Sequence, residues 1–245
     1  MLEIKSLHKN YGNHEVLKGV SITLKPGEAL GIAGPNGVGK TTLIESICGI
    51  VRITKGEMYL NGQSLLMSPY INRHKIGICF QDSIFDRFFS IYNTLVNNAM
   101  YHGLSLKESK EKSEFWLRKL DLWNKRAAFG NELSGGMKKR FQVAVALVHD
   151  PDLLILDEPT AGVDLGLVDE IYAILQSFMS LEGKMLILTS HNINEIKRLC
   201  NKILFLKDGK IVHSFSKKAL DLEPIDLEIK YREVYLNASN NSNQA

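Results

Sequence analysis

Cysteine is scarce and scattered in this chain. Cys48, Cys79 and Cys200 form no C-x-x-C pair, so neither a disulfide framework nor a zinc site is indicated, and the odd count fits a reducing compartment. Long apolar runs are missing too: none approaches the roughly 20 residues that span a bilayer. The start, Met1-Leu2-Glu3-Ile4-Lys5, lacks the apolar core of a signal peptide. Nor is there an excess of one charge. Lys and Arg total 30 against 27 Asp and Glu, a formal +3, with no basic stripe of the kind nucleic acids require. These absences predict a cytoplasmic protein; if it works at a membrane, something else holds it there. With 245 residues, 44% hydrophobic and 23% charged, the chain suits one large α/β domain, or a core domain with a small insertion.

The pattern along the chain is mixed. Leu2 to Leu7 alternates like a half-exposed antiparallel strand, and Tyr11-Gly12 reads as the loop after it. Val16–Lys18 and Val20–Leu24 read as two short strands, Glu57–Leu60 as another before the Asn61-Gly62 turn, and Lys75–Phe80 as a strand ending at Gln81. From Asp82 to Asp150 the texture is helical, which predicts an inserted helical subdomain. Within it Ser105 and Glu108 form a capping box, opening a helix expected to bury Phe115, Leu117 and Leu120. Leu153–Leu156 and Met185–Leu188 are continuous apolar runs of parallel-strand type. Between them Leu165, Val168, Ile171, Tyr172, Leu175 and Phe178 make one helical stripe, a βαβ unit. Lys202–Leu206 and Lys210–His213 flank Asp208-Gly209 as a hairpin. Leu227, Tyr231, Val234 and Tyr235 predict a last helix, before a polar tail over 237–245 expected to be disordered.

Three motifs carry chemistry. Gly34-Pro35-Asn36-Gly37-Val38-Gly39-Lys40-Thr41-Thr42 matches the phosphate-loop pattern G-x-x-x-x-G-K-[ST], between a buried strand (Ala29–Ala33) and a helical stretch (Thr42–Ile47). Its glycines let successive N–H groups converge on phosphate oxygens at a positive helix end. Lys40 is placed to reach the β- and γ-phosphates and Thr41 to offer its hydroxyl to Mg²⁺. A ligand-free glycine turn does not explain a lysine and a hydroxyl following the last glycine. Second, the apolar strand Leu153–Leu156 ends in Asp157-Glu158. In phosphate-loop nucleotidases an acid at such a strand tip holds Mg²⁺, which fits Asp157; Glu158, one residue on, is placed to take a proton from an attacking water. Third, Leu133-Ser134-Gly135-Gly136-Met137 opens an apolar-periodic helix (Met137, Phe141, Val145, Val148) with a capping serine and open amides. Lys138, Lys139 and Arg140 have the wrong sign for that helix end. An anion bound there would offset the mismatch; a solvated basic turn is the alternative.

Leu-Ser-Gly-Gly between a phosphate loop and a Leu-Asp-Glu-Pro strand resembles the ATP-binding-cassette (ABC) ATPases, in the family's motif order, from Leu2 to about His213. Met137 stands where glutamine is most common in the family, a feature shared with several exporter ATPases. The resemblance implies a phosphate-loop α/β fold with a mainly parallel sheet, an antiparallel β subdomain and a helical subdomain over about 82–150. Residues 1–220 would then form one ATPase domain and 221–245 a short helix and tail. It further implies ATP and Mg²⁺ as ligands, with Gly34, Asn36, Gly37, Gly39, Lys40, Thr41 and Thr42 on the phosphates. Tyr11 would stack on adenine, unless it is only a turn tyrosine. Thr41, Gln81 and Asp157 would serve Mg²⁺, Gln81 also touching the attacking water. Glu158 would be the catalytic base and His191 a contact to the γ-phosphate. Ser134, Gly135 and Gly136 would bind the γ-phosphate held by a second copy, with Asp164 at the dimer seam.

Partners follow from the resemblance as well: a second ATPase subunit, expected as a homodimer, and a multi-span membrane permease that holds the protein at the cytoplasmic face. No nucleic-acid partner is expected. Export is favoured over import by Leu-Ser-Gly-Gly-Met-Lys-Lys-Arg and by the short C-terminus. Phe85, Phe88, Phe89 and Tyr92 offer a docking surface, or else belong to the core of the helical subdomain. The competing reading is a soluble ABC ATPase acting on ribosomes or DNA. A single set of motifs and the lack of sustained heptads count against it.

Overall fold

Apolar residues at alternate positions build the first strands. In the computed structural model, which describes residues 1–67, 74–80, 88–160, 165–216 and 225–236 (of Leu165 and Leu167 only the backbone), β1 spans Leu2–Tyr11 and pairs antiparallel with β2 (His14–Leu24). Leu2, Ile4 and Leu7 all reach the core although their spacing changes parity. A bulge at Ser6 (φ 46°) supplies the extra residue. The two short strands expected at 16–18 and 20–24 are one, because Gly19 is absorbed where the register shifts between Leu7 and His8. Tyr11 ends β1 rather than sitting in a loop.

The chain continues through β3 (Ala29–Ala33), α1 (Lys40–Ile47), β4 (Lys55–Leu60), β5 (Gln63–Ser64) and β6 (Ile76–Cys79). Then come α2 (Ile91–Tyr101), α3 (Leu106–Lys119), α4 (Gly135–Leu147), β7 (Leu153–Asp157) and α5 (Leu165–Met179). Last are β8 (Met185–Ser190), α6 (Ile193–Leu199), β9 (Lys202–Lys207), β10 (Lys210–Ser216) and α7 (Leu227–Tyr235). These elements fall into two compact units, Met1–Asn72 with Met185–Ala245, and Arg73–Lys184.

In the first unit β2, β1, β4 and β5 form an antiparallel sheet. Separately, β3 runs parallel between β8 and β9, and β10 folds back on β9 through Asp208-Gly209, both at positive φ (48° and 77°) as a tight hairpin turn requires. Every residue of β3 and of β8 is buried, as parallel strands covered on both faces must be.

In the second unit β6 and β7 are parallel, in register from Ile76↔Leu153 to Cys79↔Leu156, with α4 packed against β6 and α2, α3 and α5 in the same unit. The capping box of α3 forms as expected, Glu108 N donating to Ser105 Oγ and Ser105 N to Glu108 Oε2. Phe115, however, is 54% exposed. The buried stripe of α3 is Ser109, Ser113, Leu117 and Leu120, two of them small hydroxyls that admit a neighbouring helix more closely than a phenyl ring would. On α5 the expected stripe holds, with Ile171, Tyr172, Leu175 and Phe178 buried.

His149, just past α4, is buried and stacks on His102, ring centroids 3.7 Å apart and 11° from parallel. Its Nε2 lies 3.2 Å from the Ile76 carbonyl, which accepts from the Nε2–H tautomer. Burial pushes its pKa down from 6.5 to about 3, and His102, itself lowered by burial, adds to the shift, against smaller raising effects from the Ile76 hydrogen bond and Asp150. The unfolded chain therefore takes up a proton that the folded one refuses, so stability present above pH 6.5 is lost as pH falls from there toward 3. At pH 5 the loss from this histidine is about 2 kcal/mol. The melting temperature should drop from pH 7 to pH 5, and His149→Gln, whose amide can still donate to Ile76, should flatten that slope in a thermal-melt series.

Candidate functional site

The loop after β3 is shaped by its glycines. Gly37 (φ 84°) and Gly39 (φ 106°) occupy left-handed backbone that side chains rarely adopt. At Gly34 a Cβ would meet the Leu206 carbonyl at 2.8 Å. Gly39 is also the N-cap of α1, with no side-chain cap, so the first amides of the helix stay available to an anion. Lys40, only 5% exposed, turns back and donates to the carbonyls of Gly34 (2.7 Å) and Pro35 (3.2 Å), a buried ammonium spanning the loop. Asn36 and Gly37 are exposed, Thr41 presents its side chain at the surface of the first turn, and Thr42 is half-buried. Hard oxygen donors of the kind Thr41 and Asp157 carry suit Mg²⁺.

Beside the loop lies a cavity of about 400 Å³ walled by Asn36, Gly37, Val38, His14, Lys18 and Gly209 among others. Its volume is in the range of small-ligand pockets. Tyr11 is not part of that wall; its ring takes the Lys9 ammonium 4.5 Å from its centroid.

Parallel register brings His191 to the same strand edge. Ala33 pairs with Ser190, so Gly34 and His191 leave neighbouring strands at their C-terminal ends, where ligands of open α/β sheets bind. His191 is exposed, but the turn beneath it is fixed from inside. Ser190 Oγ donates to Glu195 Oε2 (2.5 Å) and accepts from Asn192 N (3.0 Å). Glu195 is only 3% exposed. Sequence reasoning missed this carboxylate; an acid between Ile193 and Ile196, the two isoleucines that a short helix buries, was the available signal.

In the second unit the tips of β6 and β7 carry the other candidates. Asp157 and Glu158 are both buried, and Glu158 has φ 49°, a left-handed backbone that a non-glycine residue adopts only when its surroundings enforce it. Side chains of α4 reach both strand tips. Lys139, 6% exposed, donates to the Glu158 carbonyl at 3.5 Å, and Gln142 Nε2 donates to the Phe80 carbonyl at 3.3 Å. Arg140 pairs with Glu170 at 2.8 Å. Lys139 and Arg140 of this basic turn are thus engaged within this unit. Ser134 caps α4, accepting from Met137 N at 3.4 Å, and stands exposed with Gly135. The buried Cys79 thiol is pushed up to about 11 by desolvation and is no nucleophile. Gln81 and Asp164 lie outside the described residues, as does Phe85. Of the other aromatics expected near Gln81, Phe88 is 86% exposed and Phe89 is also exposed, so neither is core. Tyr92 packs edge-on against Trp123.

A glycine-rich loop between a parallel strand and a helix, with a lysine folded across it, defines a phosphate-loop nucleotide-binding fold. The chain belongs to the ABC transporter family, whose model matches residues 17–161. It is 33% identical over 228 residues to Nod factor export ATP-binding protein I of Paraburkholderia xenovorans (strain LB400), covering 93% of this chain and 75% of that relative. The solved ATP-binding subunit of an ABC transporter superposes with a TM-score of 0.87 at 25% identity, over 95% of this chain and 98% of that one. A dimeric ATP-binding cassette in a post-hydrolysis state, bound to ADP and Pi, gives 0.80 at 26% identity, over 88% and 98%.

Proposed function

We propose that the chain is the Mg²⁺-dependent ATP-hydrolysing subunit of an exporter, working as a dimer on a membrane permease. The observation that carries this reading is the phosphate loop itself, with left-handed glycines, uncapped helix amides and a buried ammonium held by the loop's own carbonyls. Gly34, Asn36, Gly37, Gly39, Lys40, Thr41 and Thr42 hold the phosphates, and Tyr11 stacks on adenine. Thr41, Asp157 and Gln81 hold Mg²⁺, which neutralises phosphate charge and orients the terminal phosphoryl group. Glu158 takes the proton of the attacking water and His191 steadies the γ-phosphate. Ser134, Gly135 and Gly136, with Asp164 at the seam, close on the nucleotide of a second copy. Residues 1–220 act as one ATPase domain.

Export is supported by the alignment to an export ATP-binding protein across most of the chain. A permease is supported by the exposed Phe88 and Phe89, apolar surface that suits a protein partner at the cytoplasmic side of a membrane. Affinity purification of the tagged chain from detergent-solubilised native membranes tests this. A multi-span membrane protein should co-purify, and ATPase activity should vanish with EDTA. Recovery of ribosomes or DNA-bound factors alone would overturn the transporter reading and leave the ATPase one standing.

A further inference from the structure

The last helix reaches the floor of the phosphate loop. Tyr235, at the end of α7, directs its hydroxyl at two backbone carbonyls, Leu206 O at 2.9 Å and Ala33 O at 3.1 Å. Ala33 is the final residue of β3, and the next residue is Gly34, whose carbonyl takes the Lys40 ammonium. A Cβ on Gly34 would stand 3.5 Å from the Tyr235 oxygen, so the hydroxyl sits directly beneath the first residue of the loop. Its single proton serves two acceptors on neighbouring strands, β3 and β9, at the point where the loop departs. Burial pushes the phenol's pKa up, which keeps that proton in place.

Nothing about this position is left to chance packing. The ring packs 4.5 Å from Tyr231 and 5.9 Å from Phe205, centroid to centroid, and Lys207 Nζ donates to the Val234 carbonyl at 2.6 Å, holding the helix end against β9. The loop is thereby fixed from two sides, by Lys40 across it and by a phenol under its root.

We infer that Tyr235 is a positioning residue for the nucleotide site, its hydroxyl setting the root of the phosphate loop so that the loop amides are ready for a β-phosphate. The inference rests on the reading of that loop as the nucleotide site. By linkage, a nucleotide on the loop also steadies the C-terminal helix.

Tyr235→Phe removes the hydroxyl and keeps the ring, so it separates positioning from packing. Calorimetric titration with Mg·ADP, which engages the loop without turnover, should show binding weakened about three- to tenfold, the usual range for a lost buried hydrogen bond. KM for ATP should rise by a similar factor with kcat within about twofold, and the amides of Gly34 and of residues 36–39 should exchange hydrogen faster. A purely structural tyrosine would give a different pattern: Tyr235→Phe equal to native in Mg·ADP affinity, with only Tyr235→Ala losing melting temperature. That result overturns the inference. If the native chain itself fails to bind Mg·ADP, the nucleotide reading falls and takes this role with it, an outcome distinct from native binding that the Phe variant shares.

Discussion

Glu158→Gln is expected to abolish turnover, to about one per cent of native or below, and at the same time to trap a dimer in saturating Mg·ATP. The first half follows from chemistry: an amide cannot take a proton from water, and loss of a general base costs about 10²- to 10⁴-fold. Glutamine keeps the volume of the side chain, and the contact from Lys139 goes to the backbone carbonyl of residue 158, so the left-handed turn survives the change. The second half follows from charge. In the proposed mechanism, removing this carboxylate's charge lowers repulsion in the nucleotide-loaded state, and without hydrolysis nothing releases the partner copy. Light scattering with and without Mg·ATP, beside a phosphate-release assay, reads both. A variant that remains monomeric at saturating Mg·ATP would sink the dimer mechanism, and one that turns over normally would remove Glu158 from its role as base.

Lys40→Met should be the more severe change for binding. The ammonium is the loop's own positive charge, and charge-assisted hydrogen bonds to phosphate are about twice as strong as neutral ones. Losing them should weaken nucleotide binding by about a hundredfold. Methionine replaces the aliphatic stem almost atom for atom, so the melting temperature should move by only a few degrees. What it cannot replace is the donor to Gly34 and Pro35. Calorimetry with Mg·ADP distinguishes this from Tyr235→Phe, since both touch the loop but only Lys40 brings charge. Equal, modest losses in the two variants would mean that the lysine acts here as a strut alone.

Much of this was legible in the chain because the signals were local. The phosphate loop lies in nine consecutive residues, the capping box of α3 in four, and the buried strands in unbroken apolar runs. Parity misled where a bulge intervened, as at Ser6 and Gly19. Phe115 misled because hydrophobicity, taken alone, outranks a pair of serines that close packing prefers. What could not be read were contacts between distant residues that propensity does not encode. Lys139 and Gln142 look like one more basic or polar turn, yet they hold the tips of two strands. Glu195 looks like a solvated helix acid until its hydrogen bond to Ser190 is seen. Tyr235 bonds a carbonyl 202 positions earlier, and no pattern in the last helix points to that partner.

That separation has a consequence for synthesis. Ala33 leaves the ribosome 202 residues before Tyr235. At about 5 to 20 residues per second, the loop waits about 10 to 40 s for the hydroxyl that underpins its root. A nascent chain can form the strand and the glycine turn early, yet the root of the loop lacks this contact until Tyr235 has been made. On the inferred role of Tyr235, the nucleotide-ready conformation is acquired only once α7 has been made.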